Sequence, residues 1–274
     1  IKAGRFTLDG RDYHLPLNNE PQYADWCLHG GKEGFSHKLW TAEVLDAPGA
    51  EAVRLSYTSA DGEEGFPGRL DVRVTFELRA ENELKLSYWA QTDAPTPVNL
   101  TNHAYFNLKG EGQGDILDHE VQIAADGFAE VDAQQFPTGI VREVAGTPLD
   151  FREARKVGER IDAEDAQVQR VGGYDHFFVK PIGHDMAPLV TVYEPGSGRL
   201  MSVMTSEPGV QFYSGNNLKG DSNGKGGSRY ERRTGLCFET QGFSDAVNRP
   251  EFPSIILRPG KNYESETIYK FSAR

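Results

Sequence analysis

An all-β fold, a sandwich or a barrel, is what this sequence predicts, and three observations predict it. Short runs of alternating apolar and polar residues recur along the 274 residues, and a two-residue alternation marks a half-buried strand. Clusters of Gly, Pro, Asn and Asp separate the runs, as tight turns require. Only residues 150–170 have helical composition, and their apolar spacing is irregular, so short helices or turns are expected there.

Arg5 to Leu8 and Arg11 to Leu15 flank Asp9-Gly10, and an Asp-Gly pair between strands reads as a hairpin turn. Asp25 to Trp40 reads as loop, with His29 set between Leu28 and two glycines. Val53 to Tyr57 alternates, and Asp61 to Gly68 is a Gly, Glu and Pro loop. Leu70, Val72, Val74, Phe76 and Leu78 then alternate without a fault against polar neighbours, which predicts a half-buried antiparallel strand. Leu84, Leu86 and Tyr88 repeat the pattern after a turn at Glu81-Asn82-Glu83. Val98 to Leu108 reads as a further strand running into a loop.

His119 to Ala124 is another strand, and Phe128 to Thr138 reads as strand then turn. Tyr174 to Val179, Leu189 to Tyr193 and Leu200 to Thr205 follow, the last two joined by a turn at Pro195 to Gly198. Val210 to Tyr213 leads into a Gly, Asn and Ser loop at 214–228. Leu236 to Phe238 carries Glu239 into a polar turn, and Ile255 to Leu257 and Tyr263 to Phe271 finish the chain. No internal repeat or linker divides it, so one domain over 1–274 is expected, of a length at which single all-β domains are common.

Forty-one acidic residues against 29 basic ones leave a formal charge of −12. Such a chain repels phosphate backbones and anionic lipid, and no Lys/Arg stripe offsets the charge, so neither nucleic acid nor membrane is an expected partner. No apolar run reaches membrane-spanning length and no signal peptide is visible, which makes the cytoplasm the expected location. Cys27 and Cys237 are the only cysteines and read as two reduced, buried thiols, with a single disulfide the alternative. The chain opens at Ile1 almost directly into a strand, so a segment upstream of it is expected.

Four polar stretches break the apolar pattern. Glu239 ends a strand whose Leu236 and Phe238 face a core, which puts the carboxylate on the other face with Cys237. Partial burial there raises a carboxyl pKa toward a useful value. Thr101-Asn102-His103 interrupts an apolar run, a desolvation cost unless the groups are hydrogen-bonded or face a cavity. Asp175 and His176 sit side by side in a strand and so face opposite sides, one toward a pocket. Gln211 stands among apolar neighbours, and His29 beside Gly30 and Gly31. Each taken alone has an ordinary explanation: a strand-end Glu, a structural His, an outward Gln, a solvated loop His.

No HExxH, cysteine pair or calcium-loop spacing is present, so neither a metal nor any other cofactor is expected. Gly220 to Gly227 is glycine-rich but opens no helix, and reads as a flexible loop rather than a phosphate cradle.

Together these stretches resemble the aldose 1-epimerase (galactose mutarotase) family. The resemblance runs in order through Gly4 to Gly10, Leu28-His29-Gly30-Gly31 with Gly34-Phe35, Asn102 to Leu108, Gly173 to His176, Gln211 to Asn216, Glu239-Thr240-Gln241 with Asp245 to Asn248, and Leu257 to Gly260. It implies a large antiparallel β-supersandwich; a monomer or homodimer is the expected assembly. It implies Glu239 as the general base that takes the proton from the sugar's C1 hydroxyl, and His103 as the general acid that protonates the ring oxygen O5. It implies that His29, Asp175 and Gln211 hold the sugar. His176 has no matching role. It also implies that an Asn-Arg pair, whose Arg reaches the sugar, belongs immediately before Ile1, and that the family's N-terminal strands are missing from this stretch.

Mutarotation breaks and remakes the hemiacetal C1–O5 bond, so one carboxylate and one imidazole suffice, each acid or base contributing ~10²–10⁴-fold. Among Tyr105, Phe178, Phe212 and Tyr213, core packing is the expectation for most, with an apolar wall for a pyranose face the alternative. The expected function is interconversion of the α and β anomers of a free aldohexose, galactose or glucose. The rivals are a non-catalytic sugar-binding relative, and a glycoside hydrolase using Asp175 and Glu239 as its carboxylate pair.

Overall fold

A computed structural model describes residues 1–18, 25–183, 185–221 and 223–274. In chain order its strands are β1 (Arg5–Leu8), β2 (Arg11–His14), β3 (Thr41–Ala47), β4 (Ala50–Ser59), β5 (Leu70–Arg79), β6 (Glu83–Thr92) and β7 (Thr96–Pro97). Then come β8 (Glu120–Ile123), β9 (Gly127–Val131), β10 (Pro137–Glu143), β11 (Arg155–Lys156) and β12 (Asp175–Val179). The last six are β13 (Val190–Glu194), β14 (Arg199–Thr205), β15 (Gly209–Tyr213), β16 (Cys237–Gln241), β17 (Ile256–Leu257) and β18 (Tyr263–Ala273). One short α-helix, α1 (Ala166–Val171), falls inside the stretch of helical composition. No helix among the described residues is long and apolar enough to cross a membrane.

The strands fall into two compact units, one of residues 1–80, 84–100 and 242–266, the other of 81–83, 101–241 and 267–274. In the first, β1 and β2 form the hairpin that Asp9-Gly10 predicts, with both turn residues at positive φ, +50° and +79°, the requirement of a type I′ turn. β5 pairs with β4 from Ser59↔Leu70 to Ala50↔Arg79, and β4 pairs in turn with β3. Leu70 and Val72 enter a core with Ala90, Val98 and Leu257. The alternation predicted over all of β5 fades at its far end, where Leu78 is exposed. A second cluster joins Phe6, Leu8, Leu15 and Cys27.

In the second unit a five-stranded antiparallel sheet has the order β10-β9-β12-β15-β16. Its core face is aromatic. Phe212 stacks on Phe238 at 5.2 Å with planes 8° apart and on Tyr174 at 5.4 Å, and Phe151 packs edge-on to Tyr174 and Phe212. In the same unit β13 pairs with β8 and β14, and β14 with β18 over Arg199↔Ala273 to Thr205↔Thr267.

Besides the two-residue β7 and β11, two strands escape the sequence pattern. β3 is mostly exposed on both faces, so no apolar alternation marks it. β10 begins at Pro137, where a turn is expected; proline is tolerated at the start of an edge strand, and the pairing is broken by a bulge between Pro137 and Val141. One expected strand is not formed. Val98 to Tyr105 makes no ladder, and a single bridge joins Phe106 to Leu236. Both cysteines are free and buried, which settles the disulfide alternative.

Candidate active site

β12, β15 and β16 build the site by alternation. Register sets Asp175 opposite Tyr213 and Tyr213 opposite Cys237, and in the next row Phe177 opposite Gln211 and Gln211 opposite Glu239. These six share one face. Their chain neighbours His176, Phe178, Phe212 and Phe238 share the other, all fully buried. The apolar residues of these strands are therefore what aims Asp175, Gln211 and Glu239 together: each is fixed by the burial of the residue beside it.

One end of this face is braced. Helix α1 starts on Asp165, whose carboxylate caps the N–H groups of Gln167 and Val168, and ends on Gly172 in the left-handed region, φ +69°. That stop lets the chain straighten into β12 at Asp175. Ser214 and Asn216, just beyond β15, hold the same junction. Tyr174 N–H donates to Ser214 Oγ at 3.0 Å, and Asn216 Nδ2 donates to the carbonyls of Val171 and Tyr174 at 3.1 and 3.0 Å.

His103 arrives from the polar stretch that interrupts the expected strand. Asn102 turns the chain by accepting from Ala104 N–H at 3.1 Å. Three residues after His103, Phe106 exchanges both backbone hydrogen bonds with Leu236, at 2.7 and 2.8 Å. Asn107 Nδ2 donates to Thr234 O at 3.2 Å, and Leu108 N–H donates to the buried His119 Nε2 at 2.9 Å. Continuing the antiparallel register from the Phe106–Leu236 bridge places Tyr105 beside Cys237 and His103 beside Glu239. Residues 103–106 thus run beside β16 without forming a ladder, and His103 Nε2 lies 3.4 Å from Glu239 Oε1.

Electrostatics follow from the burial. Glu239 is 7% exposed; burial first, and the Asp175 carboxylate second, push its pKa up to about 8. Burial also pushes Asp175 up to about 6, opposed by Gln211 Nε2, which donates to its Oδ1 at 2.7 Å. Burial pushes the His103 imidazole down. Two groups in contact, one acid raised and one base lowered, share a single proton over the neutral range. On the opposite face His176 is packed edge-on to Phe128 at 5.6 Å, and burial lowers it to about 3. It is a neutral core residue, as its place beside an outward Asp175 predicts.

Four of the five sequence-predicted residues, Glu239, His103, Asp175 and Gln211, therefore lie together in the second unit. His29 lies in the first, in a loop at φ +52°, lining a cleft with Asn18, Lys32, Ser36 and His37. Its part in holding sugar stands on its motif alone. No group of three or more His, Cys, Asp or Glu among the described residues is arranged to hold a metal. Of the four aromatics considered, Phe178 and Phe212 are core. Tyr105 and Tyr213 surround His103: Tyr105 stacks on it at 5.1 Å and 29°, and Tyr213 meets it edge-on at 6.2 Å.

A family model described as aldose 1-epimerase matches residues 1–270. The chain belongs to the aldose 1-epimerase family. It is 47% identical over 272 residues to a galactose mutarotase of Rattus norvegicus, covering 99% of this chain and 75% of that protein. It is 37% identical over 276 residues to an aldose 1-epimerase of Escherichia coli K12, covering all of this chain and 77% of that one. Among solved structures, the GalM/aldose epimerase homologue from C. elegans superposes with a TM-score of 0.86 at 33% identity, over 100% of this chain and 79% of that one. The galactose 1-epimerase from Lactobacillus acidophilus gives 0.85 at 26%, over 100% and 76%. These aldose epimerase likenesses fix the fold as the antiparallel β-supersandwich that the resemblance implies.

Proposed function

We propose that this chain is an isomerase that interconverts the α and β anomers of a free aldohexose by opening and reclosing its hemiacetal ring. One observation carries the reading: a buried carboxylate and an imidazole meet at 3.4 Å on one face of a sheet. O1 and O5 are bonded to the same carbon, so groups this close reach both at once. Glu239 takes the proton from the C1 hydroxyl, and the O1 electron pair closes the carbonyl. The C1–O5 bond breaks, and O5 takes a proton from His103. The aldehyde turns about C1–C2 and the two groups run the steps backward, leaving enzyme and proton count unchanged.

Asp175 and Gln211 line the same face, and their hydrogen bond leaves a carboxylate oxygen and an amide oxygen to receive sugar hydroxyls. The relatives named galactose mutarotase make galactose the first sugar to test. Two free thiols suit a reducing compartment such as the cytoplasm.

Polarimetry on freshly dissolved α-D-galactose tests the proposal. Catalysed decay of the rotation to its equilibrium value is the expected result. Thermal stabilisation by galactose with no faster decay would instead identify a sugar-binding relative. Release of phenol from an aryl galactoside would identify a hydrolase.

A further inference from the structure

Two rings close around the His103 imidazole, and one of them belongs to no strand. Tyr105 is 47% exposed, so burial does not hold it. What holds it is local. The bridge register sets it beside Cys237. Tyr213 meets its ring edge-on at 6.2 Å and 74°, and the Tyr213 oxygen is itself fixed by Asn217 N–H at 2.8 Å. Beneath it lies Gly235: a Cβ there would sit 3.1 Å from both Cβ and Cδ1 of Tyr105 and would press on the ring.

We propose that Tyr105 is a positioning residue for the proton-transfer pair, a ring clamped between Gly235 and Tyr213 that holds the His103 imidazole facing Glu239 without touching the sugar. His103 needs such a support. It stands on a segment with no ladder, three residues from the Phe106–Leu236 bridge. A stacked neighbour helps to set the ring, and a misplacement of about 1 Å in a catalytic group costs up to ~10²-fold in rate. Stacking also covers one face of the imidazole, in line with its lowered pKa. The titratable groups around the two rings are Glu239 and Cys237 from β16, Tyr213 from β15 and Asp175 from β12.

The inference rests on the anomerase reading, and the test separates the two. Tyr105→Leu removes the ring, Tyr105→Phe keeps it, and Gly235→Ala pushes on it without altering it. Galactose mutarotation and the NMR titration of the His103 imidazole in the resting protein are measured for each. For Tyr105→Leu the expected result is a kcat lower by about 10- to 100-fold, a KM within about threefold, and a His103 pKa moved toward 6.5. Tyr105→Phe should stay within about twofold of the parent, and Gly235→Ala should move both readouts in the direction of Tyr105→Leu. An unchanged kcat and His103 titration in Tyr105→Leu, a loss confined to KM, or a Tyr105→Phe variant as impaired as Tyr105→Leu would each overturn it. A parent protein without turnover would overturn the anomerase reading alone, since the His103 titration still reports the clamp.

Discussion

Glu239 and His103 meet forces that move their protons in opposite senses. Burial and Asp175 keep the proton on the carboxyl up to about pH 8, while burial keeps it off the imidazole. The working form, with Glu239 ionised and His103 charged, has the same proton count as the resting form, so its share does not vary with pH while the pair holds one proton. Below that window both groups are protonated and no base remains. Above it the last proton leaves and no acid remains. A bell-shaped profile of kcat/KM is expected, with its alkaline limb near pH 8; a rate still rising at pH 10 would contradict it. The raised carboxyl also predicts a stability effect. A carboxyl whose folded pKa lies above its ordinary 4.5 weakens the fold as pH rises from about 4.5 to 8, since ionisation is then easier in the unfolded chain. Glu239→Gln should therefore unfold no later than the parent at pH 4, yet gain up to about 3 kcal/mol by pH 7, at ~1.4 kcal/mol for each tenfold change in the acid's ionisation constant. Denaturation at the two pH values measures the difference.

Within the strand trio, adjacent residues have separable duties. Phe212 stacks on Phe238 and Tyr174 in the core, and Gln211 beside it faces Asp175 and Glu239. Phe212→Ala should cost about 3–5 kcal/mol in chemical denaturation. Gln211→Leu should leave stability within about 1 kcal/mol and raise the KM for galactose, because Asp175 loses its donor. This division was legible in the sequence. Alternation around Phe238 and around Phe212 put Glu239 and Gln211 on the face away from the core, and the Asp175-His176 pair had to split. Among the longer strands, two at sheet edges were not legible. β3 has no buried stripe to betray it, and β10 starts at a proline that reads as a turn. The Val98 to Leu108 stretch misled because its apolar residues suggest a ladder, whereas Thr101-Asn102-His103 take the backbone out of one. Tyr105 could be named as an aromatic near His103, but its contact with the imidazole depends on one bridge whose register no local pattern encodes.

Across the whole chain, the family was legible because its fragments occur in order from Gly4 to Gly260, and the family model matches residues 1–270. Spatial convergence was not, since His103 and Glu239 are more than a hundred positions apart and are brought together by the bridge at Phe106 and Leu236. The same long-range packing buries both thiols, Cys27 in the first unit and Cys237 beneath Tyr105 in the second. A water-soluble aromatic disulfide reagent should modify neither in the native protein and both after denaturation; prompt reaction of one in the folded state would show that its cover opens. In the proposed anomer exchange Glu239 and His103 act as one unit. The most direct measurement is the NMR exchange rate between the two anomers of galactose at equilibrium, with the parent, Glu239→Gln, His103→Asn and the double variant. Each single variant should lose about 10²–10⁴-fold, with the double variant hardly slower than either; a single variant exchanging at the parent rate would contradict it.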